Sequence, residues 1–207
     1  MLQTTTSLRR QLRQKRQNIS SSDRALFDYS INQSIINTAL LLRSPKIASY
    51  LANNGEPALD LFIKTCSVGP SQHYLPVLNK QQLKFSSYSW GDQLKNNCFN
   101  IAEPLAKHTL SPRLLSTILI PLVGFDHLGH RIGMGGGYYD RTLSFMQNPL
   151  CQKKPLLIGI AYSVQKTQEI KPQPWDVPLD AVITEQGLTC FSVKATHYLR
   201  SSFKNES

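Results

Sequence analysis

The sequence is short of long apolar runs, paired cysteines and acidic residues, and each shortage removes a class of protein. No apolar run reaches the ~18–20 residues that a membrane-spanning helix needs. The longest candidate, Ile118 to Phe125, is interrupted by Pro121 and Gly124, so no membrane association is expected. The polar, arginine-rich N-terminus has no apolar stretch behind it, and no secretory signal is expected there. That segment carries no acid before Asp23, a feature a mitochondrial transit peptide would share. The spacing of Leu8, Leu12 and Lys15 reads equally well as a first domain helix. The four cysteines (Cys66, Cys98, Cys151 and Cys190) form no C-x-x-C pair. A zinc ribbon is therefore not expected, and scattered thiols suit a reducing cytoplasm. His127 and His130 lie three apart without a third ligand type nearby, which reads as a solvated turn rather than a metal site. There is no internal repeat and no low-complexity linker, so one domain over residues 1–207 is expected.

What is present is an ordinary globular composition, 41% apolar with two tryptophans. Lys and Arg outnumber Asp and Glu by 23 to 13, a net charge of +10. Such a charge suits either a nucleic-acid surface or polyanionic small molecules. It is dense at Arg9, Arg10, Arg13, Lys15 and Arg16 and thin afterwards. No stripe of alternating aromatic and basic residues marks a single-strand binder. The small-molecule reading is preferred, and no nucleic-acid partner is expected.

Along the chain, residues 4–18 read as a helix with a basic face. Ser20 to Asp23 cap a second helix in which Phe27, Ile31, Ile35 and Leu42, flanked by Ile36, Ala39 and Leu40, recur at helical spacing until Pro45. Residues 46–51 read as a strand, 58–65 as a short helix, and 73–78 and 83–89 as strands. Thr117 to Val123 is a continuous apolar run, the mark of a strand buried on both faces. A glycine-rich loop and a helix over 138–146 follow it, then strands over 156–161 and 181–184. Strands alternating with helices predict an α/β class protein with an open sheet and helices on both faces.

The loop is the most informative stretch: Gly133, Met134, Gly135, Gly136, Gly137, Tyr138, Tyr139, Asp140. Glycine weakens helix and strand alike by roughly 0.5–1 kcal/mol per residue, so four in five positions serve another purpose. They permit positive φ and let backbone N–H groups approach a bulky anion, with a helix end adding partial positive charge. A tight structural turn is the alternative, but a turn needs only one or two glycines. The loop is neither a P-loop, which needs Lys-Ser/Thr where Tyr138 and Tyr139 stand, nor a dinucleotide fingerprint, whose third glycine is Tyr138 here. Arg131 precedes it and Asp140 and Arg141 follow. An acid beside phosphate-binding arginines suggests a divalent cation between them, and hence a magnesium–nucleotide complex. Asp176, between Pro174 and Pro178, is the best-placed second carboxylate, with a turn-forming role as its alternative.

These residues carry a resemblance. The stretch from Ile120 to Asp126, and on from Gly129 through Gly133–Gly137 to Arg141, resembles the signature of the 5-formyltetrahydrofolate cyclo-ligase family. Further landmarks occur in order: Tyr50 with Gly55 and Glu56, Leu75 to Val77, Glu103 and Pro104, Gly159 to Tyr162 with Gln165, and Trp175 with Asp176. The resemblance covers about residues 5 to 190. It implies an open, mostly parallel Rossmann-like sheet in a single domain, and an ATP- and Mg²⁺-dependent conversion of 5-formyltetrahydrofolate to 5,10-methenyltetrahydrofolate. The partners it implies are ATP and the folate, with or without a polyglutamate tail. A cytoplasmic monomer is expected.

Carried over position by position, the resemblance places ATP against Arg9 and against Arg131, Ile132, Gly133, Met134, Gly135, Gly136, Gly137, Tyr138 and Tyr139. The family's usual lysine is Thr5 here, leaving Lys15 or Arg10 as candidates for that charge. Leu51, Glu56 and Phe99 would line the folate site together with Met134 to Tyr138. Glu56 would accept hydrogen bonds from the pterin's N–H edge, and Phe99 stands where some members carry a tryptophan. Asp140 and Asp176 would bind Mg²⁺, while Tyr138 and Arg131 would serve catalysis. Where some members have a basic residue, this chain has Gly136, so charge there falls to Arg131, Arg141 or the helix end. Two rivals remain on residue chemistry: a kinase or ligase acting on another small acid, and a nucleic-acid binder using the arginine helix.

Overall fold

The computed structural model describes residues 4–105 and 108–199. Helix α1 (Thr5–Gln17) starts where the Thr4 side chain accepts from the Ser7 N–H. Helix α2 (Ser21–Ile36) starts at Ser20, whose Oγ accepts from the Asp23 N–H at 3.1 Å and donates to the Asp23 carboxylate at 2.7 Å. This helix does not run on to Pro45. The Thr38 hydroxyl takes the Ile35 carbonyl and accepts from the Leu40 N–H, so the backbone breaks and a one-turn helix α3 (Leu40–Arg43) begins afresh. The break rotates Leu42 out to 80% exposure and turns Leu40 fully inward.

The remaining elements are β1 (Lys46–Ala48), α4 (Asp60–Val68), β2 (Gln72–Asn79), β3 (Gln82–Ser87), β4 (Leu94–Asn96), β5 (Ala102–Pro104), β6 (Thr109–Leu110), β7 (Thr117–Pro121), β8 (Gly124–Phe125), β9 (Arg131–Ile132), α5 (Tyr138–Leu143), β10 (Leu156–Ile160), β11 (Ala181–Thr184), β12 (Gly187–Cys190) and α6 (Val193–Leu199). Eight strands form one sheet in the order β12-β11-β10-β7-β1-β2-β3-β6. The five central strands, β11 to β2, pair in parallel, and the edges are antiparallel. This is the open α/β sheet expected.

Alternation along β7 divides the core. Leu119 faces a layer built with Ile31 and Ile35 of α2, Phe62 and Ile63 of α4, and Ala195 and Leu199 of α6. Ile118 and Ile120 face the opposite layer, which holds Phe85, Leu143 of α5, Val177 and Leu179. Helices flank both faces unevenly: the second is covered by the six-residue α5 and by loops. Among the described residues, no helix is long and apolar enough to cross a membrane.

One consequence of the strand order positions the site. The chain leaving β1 goes to β2 on one side, and the chain leaving β7 goes to β10 on the other, so the sheet has a switch point between β1 and β7. The loops leaving the carboxyl ends of these two strands diverge there and open a crevice, the place where open α/β sheets bind ligands. The residues leaving β1 are Ser49 to Glu56; those leaving β7 lead to the glycine loop.

Candidate active site

The glycine loop hangs from a short β8–β9 hairpin that one buried acid holds shut. Asp126 accepts from the backbone of Leu128 and His130 with Oδ1, and from His130 Nδ1 and the Ile170 N–H with Oδ2, all at 2.9–3.0 Å. Burial pushes its pKa up, but these hydrogen bonds outweigh burial and leave it below the usual carboxylate value. His127 donates to the Gln168 carbonyl at 3.1 Å. Helix α1 packs on the hairpin through Leu8 and Leu12, against Val123, Ile132 and Ile170.

Beyond β9 the loop emerges into solvent, with Gly133 to Gly136 exposed. Gly135 (φ +101°) and Gly137 (φ +65°) occupy backbone regions that side chains resist. Two arginines hold loop carbonyls from different elements. Arg9 of α1 donates through Nε to Gly133 at 2.9 Å, and Arg141 of α5 donates through Nη2 to Gly136 at 2.7 Å. Arg141 also donates to the Gln81 carbonyl and lies 5.2 Å from the Tyr138 ring centre. Arg141 thus places its charge beside Gly136. Thr5 is exposed at the start of α1, one turn before Arg9.

Arg131 faces inward as a brace. Its side chain is 5% exposed, and it donates to the Val177 carbonyl and to Asp140 Oδ1. That pair links α5 to the loop carrying Asp176. Asp176 itself closes a turn, its Oδ2 accepting from the Gln173 N–H at 2.8 Å. A cavity of about 390 Å³ lies beside Asp140, lined by Gly137, Arg141, Gln82, Ser144 and the exposed Trp175. Among the described residues no three His, Cys, Asp or Glu side chains gather closely enough to hold a metal ion by themselves.

The opposite wall holds Tyr50, Leu51 and Glu56. Leu51 is half-buried against the core, and Tyr50 donates from its hydroxyl to the Pro57 carbonyl at 2.9 Å. Glu56 Oε2 accepts from the Asn53 N–H at 3.1 Å, and its side chain is 10% exposed. Burial raises its pKa to about 6 against the pull of Arg16 and that N–H. Glu56 in turn adds to the burial that pushes the Tyr139 hydroxyl up, which places the loop's second tyrosine in its field.

Phe99 arrives from an element the sequence did not betray. Strands β4 and β5 form a hairpin whose tip carries it, and its ring meets Tyr138 edge to face at 5.8 Å between centres. Asn97 Oδ1 accepts from the Phe99 and Ile101 N–H groups, and the buried Glu103 anchors the hairpin to the Leu78 N–H. Sequence reading also missed Arg16, which is 1% exposed. Its one signal was its place on the Leu8–Leu12 stripe, four residues further on.

The 5-formyltetrahydrofolate cyclo-ligase family model matches residues 2–185. The chain belongs to the 5-formyltetrahydrofolate cyclo-ligase family. Two relatives of that name are similar across nearly their whole length. One from Haemophilus influenzae is 33% identical over 182 residues, 86% of this chain and 95% of the relative. One from Mycoplasma pneumoniae is 34% identical over 185 residues, 87% and 98%. Among solved structures, the 5,10-methenyltetrahydrofolate synthetase of Aquifex aeolicus superposes with a TM-score of 0.79 at 26% identity, covering 98% of this chain and 97% of that one. The Mycoplasma pneumoniae synthetase gives 0.69 at 30% identity, covering 88% and 99%.

Proposed function

We propose that this single-domain chain is a 5-formyltetrahydrofolate cyclo-ligase whose crevice holds ATP along the glycine loop and the folate between Glu56 and Phe99. The observation that carries the reading is the meeting at one switch point of three things: a glycine loop gripped by Arg9 and Arg141, a buried carboxylate at Glu56, and the Phe99–Tyr138 aromatic pair. A phosphate cradle, a polar anchor for a heterocycle and an aromatic shelf are what two large, flat, anionic substrates need.

The formyl group on nitrogen 5 is an amide, a poor electrophile without a leaving group. Its oxygen attacks the γ-phosphorus of ATP, ADP leaves, and an iminium phosphate forms. Nitrogen 10 then attacks the activated carbon and loses its proton, and the carbon–oxygen bond breaks to release phosphate and 5,10-methenyltetrahydrofolate. Catalysis of this kind is positioning and charge neutralisation, with no protein nucleophile. Arg9, Thr5 and the backbone from Arg131 to Tyr139 hold the triphosphate. Glu56, mostly ionised above pH 6, accepts from the pterin's N–H edge; Leu51 and Phe99 flank the ring, and Tyr138 orients the formyl group.

Mg²⁺ belongs to this reading. Asp140 and Asp176 offer the hard oxygen donors that this ion takes from proteins which leave the rest of its coordination to water and phosphate. Arg131 ties the Asp140 carboxylate to the carbonyl beside Asp176, so the two acids share one corner of the site. Bound there, the ion would neutralise phosphate charge. A net charge of +10 suits anionic partners, ATP and a polyglutamylated folate alike. We expect a cytoplasmic monomer with no need of nucleic acid or membrane. The test is the near-ultraviolet absorbance of methenyltetrahydrofolate: it should grow only with ATP and Mg²⁺ together, and no growth with both present would sink the reading.

A further inference from the structure

We infer that Arg16 is a positioning residue of this site: its buried guanidinium ties the loop after β1 to the loop after β7 and holds the Glu56 carboxylate facing the glycine loop. The ties are direct. Nη1 donates to the Leu122 carbonyl at 3.2 Å, just past β7, and Nη2 donates to the Asn54 carbonyl at 2.9 Å, in the loop after β1. Nη1 also lies 4.0 Å from Glu56 Oε1, an ion pair too long for a hydrogen bond. One side chain from α1 thus joins both walls of the switch-point crevice. Arg24 of α2 reinforces the joint, donating to the Gly55 carbonyl at 2.7 Å and to the Arg16 carbonyl at 2.9 Å.

A purely structural filler would not be built this way. Among the described residues the Arg16 Nε is buried with no hydrogen-bond partner, a costly condition for a charged group. Burial lowers the Arg16 pKa and raises that of Glu56, so each charge is disfavoured where it sits. Apolar side chains of similar volume often replace such a pair with no loss of stability. What they could not supply is a fixed, ionised Glu56. The groups facing that carboxylate are Arg16 from α1, the Tyr50 hydroxyl from the loop after β1, the Tyr139 hydroxyl from α5 and the Asn53 N–H. Arg16 is the cation among them, so it keeps Glu56 an acceptor at neutral pH.

This inference rests on the cyclo-ligase reading for its kinetic arm only. In ligand-free protein, the Glu56 carboxyl signal, followed by ¹³C NMR, should titrate near 6 in the wild type. In Arg16→Met it should move up by about one unit or more, and in Arg16→Lys by much less. At pH 6.5 the folate KM of Arg16→Met should rise about threefold as the ionised fraction of Glu56 falls, with the ATP KM within about twofold. An unmoved titration in folded Arg16→Met would overturn the inference. Should that variant not fold, the pair Arg16→Gln and Glu56→Gln decides. A residue acting through Glu56 adds nothing to the folate KM once Glu56 is glutamine, and full additivity of the two changes would overturn the inference. If the wild type formed no methenyltetrahydrofolate, the functional reading would fail while the titration still judged Arg16.

Discussion

Replacing Glu56 with glutamine should stabilise the ligand-free protein while weakening its grip on folate. The Glu56 side chain is 10% exposed, and its pKa is raised from 4.5 to about 6 even with Arg16 nearby. A displacement of about 1.5 units corresponds to about 2 kcal/mol between the two protonation states. Because the folded value lies above the unfolded one, the stabilising contribution of the protonated acid is complete below about 4.5. It is lost as pH rises through about 6. At pH 8 the ionised carboxylate therefore costs the fold about 2 kcal/mol. Glutamine keeps the shape and an oxygen for the Asn53 N–H but never ionises. Thermal unfolding without ligands should put Glu56→Gln above the wild type by roughly 4–8 °C at pH 8. At pH 4.5 the two should melt nearly together. The folate KM at pH 8 should rise, with the ATP KM little changed. A variant melting below the wild type at pH 8, or a gain that persists undiminished at pH 4.5, would refute the reasoning.

Two further substitutions probe the loop and the acid behind it. Gly137→Ala places a side chain at φ +65° and drives it into the Arg141 guanidinium. A loss of roughly 1–3 kcal/mol and a raised ATP KM are expected, measured by melting and initial rates; unchanged values for both would refute the geometry. Asp140→Asn keeps an acceptor for Arg131 but removes a ligand charge. It should lower turnover by about 100-fold or more at every Mg²⁺ concentration while shifting the melting temperature by only a few degrees; retained activity would end the metal role assigned to Asp140.

The parts of the fold that are locally encoded were legible. The cap at Ser20, the apolar run of β7 and the glycines at 135 and 137 act through neighbours in sequence, and the structure has them where expected. The second helix ends before its apolar spacing predicts because Thr38, unremarkable in sequence, competes for the backbone. The β4–β5 hairpin was invisible for a different reason: β4 is exposed throughout, so no alternation marks it. Even so, the two aromatic residues expected at the folate, Phe99 and Tyr138, do meet. Apart from its place on the Leu8–Leu12 stripe, nothing in the sequence around Arg16 separates it from the other arginines there. Its burial is imposed by Leu122 and Asn54, far away along the chain. Arg131 is similar: the guanidinium is committed to Asp140 and Val177, a role set by long-range packing.

The most direct test of the central claim follows one oxygen atom. With ¹⁸O in the formyl group of 5-formyltetrahydrofolate, turnover in the presence of ATP and Mg²⁺ should yield inorganic phosphate carrying that label, one ADP for each methenyltetrahydrofolate formed. Unlabelled phosphate, or ring closure without ADP release, would contradict a site built to activate the formyl oxygen over the Gly133–Gly137 loop.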